Sequence, residues 1–216
     1  MEKGVYRRIA IFVAGLFIMT LGIAISTKAD IGTTPISSIP FVVCLSTGID
    51  LYITTFIMNL ILIALQYIVL RKDFKFVSLL QLPTAIVFTF FTKLTVDLVS
   101  QWHPNSYAEC WLYSVVSVIV LGIGVAMVVN SRTTMVPGEG AVLALSIRTK
   151  IPFSRMKIIF DVTNISLAAV ISLISFGQFE GVREGTVFAA IFIGVTVRYA
   201  TKVFKKLFPD PDNNIS

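Results

Sequence analysis

Charged residues are scarce in this chain of 216 residues: Asp, Glu, Lys and Arg make up 14% of it, and hydrophobic residues make up 56%. A soluble domain carries about a quarter charged residues. The composition therefore excludes a soluble globular domain. Apolar runs recur at lengths of about twenty residues, which is what an α-helix needs to cross the hydrocarbon core of a bilayer. The sequence predicts an all-α, polytopic membrane protein. Its predicted partner is the lipid bilayer in which it is embedded.

Cysteine and histidine are also rare, with Cys44, Cys110 and His103 as the only examples. Their spacing fits no disulfide framework and no metal-ligand pattern. The phosphate-binding loop, the HExxH zinc motif and the nucleophile elbow are missing as well. These absences argue against a self-contained ATPase, metalloenzyme or hydrolase. We therefore predict a protein that is not an enzyme and uses no metal or cofactor.

The net charge of +6 is the remaining feature of the composition. In a soluble protein such a charge would suggest a nucleic-acid partner. In a membrane protein it is explained by basic cytoplasmic loops beside anionic lipid. We predict no nucleic-acid partner.

Six apolar segments are long enough to cross a bilayer, and two shorter ones lie between the first and second of them and between the fourth and fifth. The shorter segments, 32–48 and 133–149, are rich in Pro, Gly, Ser and Thr. Those residues weaken a helix and leave backbone groups that need partners, which is tolerable at membrane depth only inside a protein cavity. The six predicted spans are Ile9–Thr27, Leu51–Leu70, Phe76–Val99, Glu109–Val129, Lys157–Phe176 and Thr186–Lys202.

The basic residues decide whether the two short segments cross the membrane. If both dip in and return, fifteen of the 18 basic residues lie on the side of the two termini. If both cross, only eleven do. The positive-inside rule favours the first arrangement. It predicts six transmembrane helices, two re-entrant half-helices and cytoplasmic N- and C-termini.

An internal repeat supports this arrangement. LGIAISTKADIGTT at 21–34 is echoed by LGIGVAMVVNSRTT at 121–134. A unit with three crossings must insert its second copy from the opposite face, which gives an inverted 3+3 repeat. The halves would be 1–105 and 106–204, followed by a polar tail at 205–216. Two similar hydrophobic hairpins without common ancestry are the alternative.

Hydroxyl and glycine residues cluster where the two half-helices would begin. A helix that starts inside the membrane exposes backbone N–H groups and the positive end of its dipole, which suits a polar or anionic solute. Nearby hydroxyls would add donors and acceptors, although capping and helix–helix bonding are alternative roles. The predicted substrate-binding residues here are Thr33, Thr34, Ser37, Ser38, Thr133, Thr134, Gly138 and Gly140.

Two acidic residues lie in otherwise apolar surroundings. Glu139, in VPGEGA, would sit where its segment is deepest, and a charge there costs about 2.5–3.5 kcal/mol. Such residues are functional candidates, here for binding a coupling proton or cation. A structural ion pair with Arg132, or a shallow position, is the alternative. Asp161 lies inside an apolar helix, and a salt bridge with Lys157 is its alternative.

Two further polar positions follow from the repeat. Asn59 matches Asp161 in register and is predicted to bind substrate. Asp30, at the end of the first span, corresponds in the echo to Asn130, which lies two residues before Arg132. Asp30 and Arg132 would guard opposite entrances, or act only as interfacial residues.

ADIGTTP after the first span and PGEG in the second half, in a short six-span chain, resemble the YczE/YitT-type family of bacterial integral membrane proteins. The lack of a soluble C-terminal domain makes the YczE-like branch the nearer match. The resemblance implies a multi-pass protein of the bacterial cytoplasmic membrane with a transporter-like role. It implies no substrate and no catalytic residue.

The resulting hypothesis is a small secondary transporter or exporter that moves a small polar or anionic solute by alternating access. One alternative is the substrate-binding membrane subunit of an ATP-driven importer. Another is a membrane scaffold that assists a biosynthetic complex. Whether the protein works alone or as a homodimer stays open.

Overall fold

The computed structural model describes residues 2–74 and 76–207, which form α-helices joined by turns and contain no β-strand. Short 3₁₀ turns cover Pro35–Ser37, Arg71–Asp73 and Phe76–Leu80. The all-α prediction is confirmed over these residues. The eight α-helices are α1 Glu2–Lys28, α2 Ser38–Thr47, α3 Leu51–Leu70, α4 Gln81–Leu98, α5 Tyr107–Ser131, α6 Pro137–Thr149, α7 Phe153–Phe176 and α8 Glu184–Leu207.

Six of these helices are long and apolar enough to cross a membrane, namely all except α2 and α6. This confirms a multi-pass membrane protein with six long apolar helices. The helix α8 continues to Leu207, so the predicted polar tail begins within it. Residues 208–216 lie outside the described part of the chain.

Proline begins both short helical segments. Pro35 opens the 3₁₀ turn that leads into α2, and Pro137 is the first residue of α6. Proline suits a first turn because its fixed φ is already helical and its missing N–H would have had no partner there.

A threonine and a left-handed residue end both short helices. The threonine hydroxyl donates to the carbonyl four residues earlier and accepts from the amide two residues later. For Thr47 these distances are 2.6 and 3.3 Å, and for Thr149 they are 2.8 and 3.4 Å. Gly48 and Lys150 follow with φ of 72° and 60°. The two helices therefore end in the same way.

The helices α1 and α5 run antiparallel in close contact at the centre of the bundle. A Cβ atom on Gly22 would lie 2.6 Å from the backbone nitrogen of Leu121. A Cβ atom on Gly124 would lie 2.5 Å from the backbone nitrogen of Met19. Only glycine allows this approach, since real Cβ atoms essentially never come within 3.0 Å of such atoms. On the flanks, α4 packs against α1 and α8 against α5.

Each short helix packs against a long helix from the other half of the chain. The helix α2 lies on α7, where Val42 packs with Ala168, and α6 lies on α3, where Leu62 packs with Ala141 and Val142. The short helices therefore connect the first four helices to the last four.

The helix ends define two faces of the bundle, the first face and the second face. Lys28, which ends α1, donates from Nζ to the carbonyl of Ser100 just beyond α4 (3.0 Å). Tyr107, at the start of α5, bonds to Glu184 at the start of α8 (3.2 Å). The loop between α7 and α8 bonds to the linker after α1. The first face thus holds the ends of α1, α4 and α7 and the starts of α5 and α8, and the second face lies opposite.

Candidate functional site

Glu139 is the third residue of α6 and has a buried carboxylate oxygen. Its Oε2 is shielded from solvent and has no hydrogen-bond partner among the described residues. The carboxylate interacts electrostatically with Lys157 and Asp161 of α7. A buried, unpartnered oxygen is costly, so a fold does not keep one without a compensating reason. Glu139 is therefore the strongest functional candidate in the described chain.

Asp161 and Lys157 form an ion pair one turn apart on α7, with Oδ1 2.8 Å from Nζ. The sequence left a salt bridge open as an alternative for Asp161, and the structure contains that bridge. The Lys157 side chain is 30% exposed and that of Asp161 15%. Lys157 is within ion-pair distance of Asp161 but not of Glu139, so with Glu139 nearby the three residues form a group that carries a surplus negative charge whenever both carboxylates are ionised. Such a group can hold a proton or a small cation.

The starts of the two short helical segments meet beside this group. A Cβ atom on Gly138 would collide with Cδ1 of Ile36, which lies in the turn leading into α2. The two predicted half-helix starts are therefore in contact. Gly138 is a packing residue here, because a side chain would require the Ile36 side chain to move.

A reciprocal pair of buried amides holds the first turn of α6. Gln66 and Gln81 each donate from Nε2 to the other's Oε1 at 2.9 Å. Gln66 also donates to the carbonyl of Pro137 (3.2 Å). A Cβ atom on Gly140 would lie 2.7 Å from Oε1 of Gln66, so glycine leaves room for the pair. Sequence analysis missed both glutamines, although two amides in apolar surroundings are themselves a signal.

Two further buried polar atoms without a partner lie one turn apart on α3. They are Nδ2 of Asn59 and Oγ1 of Thr55. Asn59 was predicted from the repeat, whereas Thr55 was missed because a threonine in an apolar helix usually bonds to its own backbone. The Oγ1 of Thr34, just before the turn into α2, is likewise buried and unpartnered. These three groups offer hydrogen bonds that the described protein does not use.

The other predicted hydroxyls have structural partners or lie away from this group. Ser38 donates to the carbonyl of Pro35 (2.7 Å), and Thr33 bonds to Ser26 (2.7 Å). Ser37 precedes α2 and is buried, but its side chain does not cap the helix. For Ser38 and Thr33 the alternative of capping and packing describes the observed bonds.

The residues predicted to guard the entrances lie at opposite faces. Asp30 is exposed at the first face, and its carbonyl accepts a bond from Arg183. Arg132 and Thr133 are exposed at the second face, and Thr134 beside them is half-buried. The structure thus brings Glu139 and Asp161 together and leaves Asp30 and Arg132 outside this group.

Comparison with known proteins places the chain in a family. A model of a family of unknown function, DUF6198, matches residues 6–202. The chain belongs to this family. The DUF6198 match includes the whole site described above. No curated protein and no solved structure matches the chain.

Variants on α3 of this DUF6198 protein distinguish buried polar side chains without a hydrogen-bond partner from those with one. We expect Asn59→Leu and Thr55→Val to leave the melting temperature unchanged or to raise it, because each removes a buried polar atom that bonds to nothing. Gln66→Leu should cost about 1–3 kcal/mol, since it leaves the amide of Gln81 unpaired. Thermal unfolding of the detergent-solubilised variants measures this. An equal loss in Asn59→Leu and Gln66→Leu would contradict the expectation.

Proposed function

We propose that the protein is a small secondary transporter or exporter that moves a small polar or anionic solute by alternating access. The observation that carries the proposal is the buried, unpartnered carboxylate oxygen of Glu139 beside the Asp161–Lys157 pair. In this proposal Glu139 binds and releases the coupling proton or cation. A scaffold protein would gain nothing from keeping such an oxygen.

The solute would bind to the unused hydrogen-bonding groups near the starts of the short helices. Nδ2 of Asn59 is a donor, and the hydroxyls of Thr34 and Thr55 can donate or accept. Backbone N–H groups at the start of a helix favour negative charge. An anionic solute that travels with a proton would suit these donors and the neighbouring carboxylates together.

A fold with two re-entrant half-helices is part of the proposal. It is supported by where the connection between α1 and α3 begins and ends, because both of its ends lie beside α4. Lys28 at the end of α1 bonds near the end of α4, and Tyr52 at the start of α3 lies under Lys93 of α4, with Nζ 5.5 Å from the ring centroid. The chain thus leaves and rejoins the bundle at the first face, with α2 in between.

An inverted repeat is the second structural part of the proposal. It is supported by the matched prolines and threonine ends of α2 and α6 and by their packing on α7 and α3. The two copies of the Leu-Gly-Ile sequence also contact each other, since Gly22 lies against Leu121. A two-fold axis in the membrane plane would pass near this contact.

We further propose that the second face is cytoplasmic and that both termini lie there, in a bacterial cytoplasmic membrane. Six basic residues of the described chain lie in or next to the connections of that face. Arg71, Lys72, Arg132 and Lys150 are in the connections, Arg148 is near the end of α6, and Arg155 is in the first turn of α7. Lys28 and Arg183 lie at the first face. The positive-inside rule supports this orientation.

Reconstitution tests the function. The purified protein is incorporated into liposomes that contain a pH-sensitive dye, and pools of small carboxylic acids, amino acids and phosphate esters are added outside. We expect one pool to cause a proton flux above that of protein-free liposomes. No flux with any pool, together with co-purification of an ATPase from native membranes, would instead support a substrate-binding subunit of an importer.

A further inference from the structure

We propose that residues 181–186, between α7 and α8, form a gate that closes the first face, and that the described state is open toward the second face. This inference rests on the proposed transport function, to which it adds the route of access. It assigns a role to a loop that the sequence did not single out.

The gate is bonded directly to the linker that follows α1. The amide of Thr33 donates to the carbonyl of Gly181 (3.3 Å), and the amide of Gly185 donates to the carbonyl of Ile31 (2.8 Å). Nη1 of Arg183 donates to the carbonyl of Asp30 (3.0 Å). These bonds join two segments that are about 150 residues apart in the chain.

Glycine makes this closure tight. Gly32 has a φ of 101°, which favours glycine, and a Cβ atom there would collide with Oγ1 of Thr186. A Cβ atom on Gly185 would lie 2.7 Å from the carbonyl oxygen of Ile31. The linker and the gate therefore touch backbone to backbone, without room for solute between them.

Corresponding residues at the second face are accessible. Residues 31–35 are all buried, and Thr34 has no exposed surface. In the echoed segment, 100 residues later, Ser131 is buried, Thr134 is half-buried, and residues 132, 133 and 135 are exposed. Thr133 forms its bonds with Ser131, which is the last residue of α5. Two copies of one sequence pattern thus differ in burial, which is what a state with one closed and one open entrance requires.

The bonds that close the gate are few and can break. They comprise two backbone hydrogen bonds and one bond from the exposed Arg183 side chain. Net hydrogen-bond contributions of about 1 kcal/mol each would let such a contact open on the time scale of domain motions. On the second face, the exposed residue Met135 lies four residues before Glu139, with buried Val136, Pro137 and Gly138 between them, and the proposal places the route to Glu139 on that side.

Thiol labelling tests the gate without any solute. Cys44 and Cys110 are first replaced by alanine, and single cysteines are then placed at Thr34 and Thr134, with Gly48→Cys, Asp73→Cys and Lys150→Cys as face references. A membrane-impermeant maleimide is applied to the protein in liposomes. We expect slow labelling at position 34 and fast labelling at 134. We expect positions 73 and 150 to react from one side and position 48 from the other.

Arg183→Gln is the variant that tests the gate directly. We expect labelling at position 34 to rise about threefold or more and labelling at 134 to fall, since a weakened closure at one face favours closure at the other. Lys28→Gln is the matched control, because it removes a side-chain bond at the same face but outside the gate. Equal effects of the two variants, or no change with either, would overturn the gate. If the labelling changes as expected but no solute moves, the gate stands and the transport proposal fails.

Discussion

Gly22→Ala and Gly124→Ala are expected to prevent normal assembly of the bundle. The added methyl group would lie 2.6 Å from the backbone of Leu121 in the first case and 2.5 Å from the backbone of Met19 in the second. Backbone atoms cannot rotate away as a side chain can, so α1 and α5 must move apart. Overpacking of this kind costs about 1–3 kcal/mol at each site. The double variant should therefore not yield a folded protein.

The measurement is size-exclusion chromatography and thermal unfolding of the detergent-solubilised variants. Gly194→Ala is the control, since Gly194 lies on α8 and a Cβ atom there would meet nothing within 4 Å. It should behave like the wild type or melt slightly higher, because alanine favours helix. A wild-type melting temperature for Gly22→Ala would show that the α1–α5 contact is not as close as described.

Glu139→Gln is expected to abolish coupled transport while leaving the fold intact. The amide has the size of the carboxyl group but cannot take up or release a proton at physiological pH. We expect the solute-driven proton flux to fall by about 10²-fold or more, the range typical of a lost proton-transfer group. The melting temperature should stay the same or rise, since the replaced oxygen has no hydrogen-bond partner.

Asp97→Asn is the matched control for this variant, because it makes the same carboxyl-to-amide change at an exposed position in the last turn of α4. It should keep the full flux. Asp161→Asn is a less specific variant, since it leaves Lys157 without its ion-pair partner and so affects stability as well as coupling. Full flux through Glu139→Gln would refute the coupling role and leave Asp161 as the remaining carboxylate of the group.

Much of the fold could be predicted because membrane solvation acts on local sequence. A span needs about twenty apolar residues, so the six long helices are visible as runs. The helix α1 begins seven residues before its predicted span, and the other observed bounds lie within five residues of the predicted ones. The short helices were also visible, since Pro35 and Pro137 suit the first turn of a helix and both helices end in threonine. The topology of insertion and the repeat remain proposals.

The site was predicted in part. Glu139 and Asp161 are charged residues in apolar segments, so the sequence alone marks them. The structure places both near Lys157. Gln66, Gln81 and Thr55 carry no formal charge, so their apolar surroundings mark them less strongly than they mark Glu139 and Asp161. Whether such a side chain has a partner depends on a helix far away in the chain, which hydropathy does not report.

By itself, the sequence determined that this is a membrane protein with six long apolar helices, where its two short helices begin, and which carboxylates lie in apolar surroundings. These properties follow from the free-energy cost of exposing polar groups to lipid, and that cost depends on the local sequence of each segment. Only the tertiary structure decided that Ile36 meets Gly138, that Gln66 pairs with Gln81, and that the linker after α1 is covered while its echo is exposed. Those features depend on distances between residues that are remote in sequence, and the glycines that permit them appear in the sequence only as weak points of a helix.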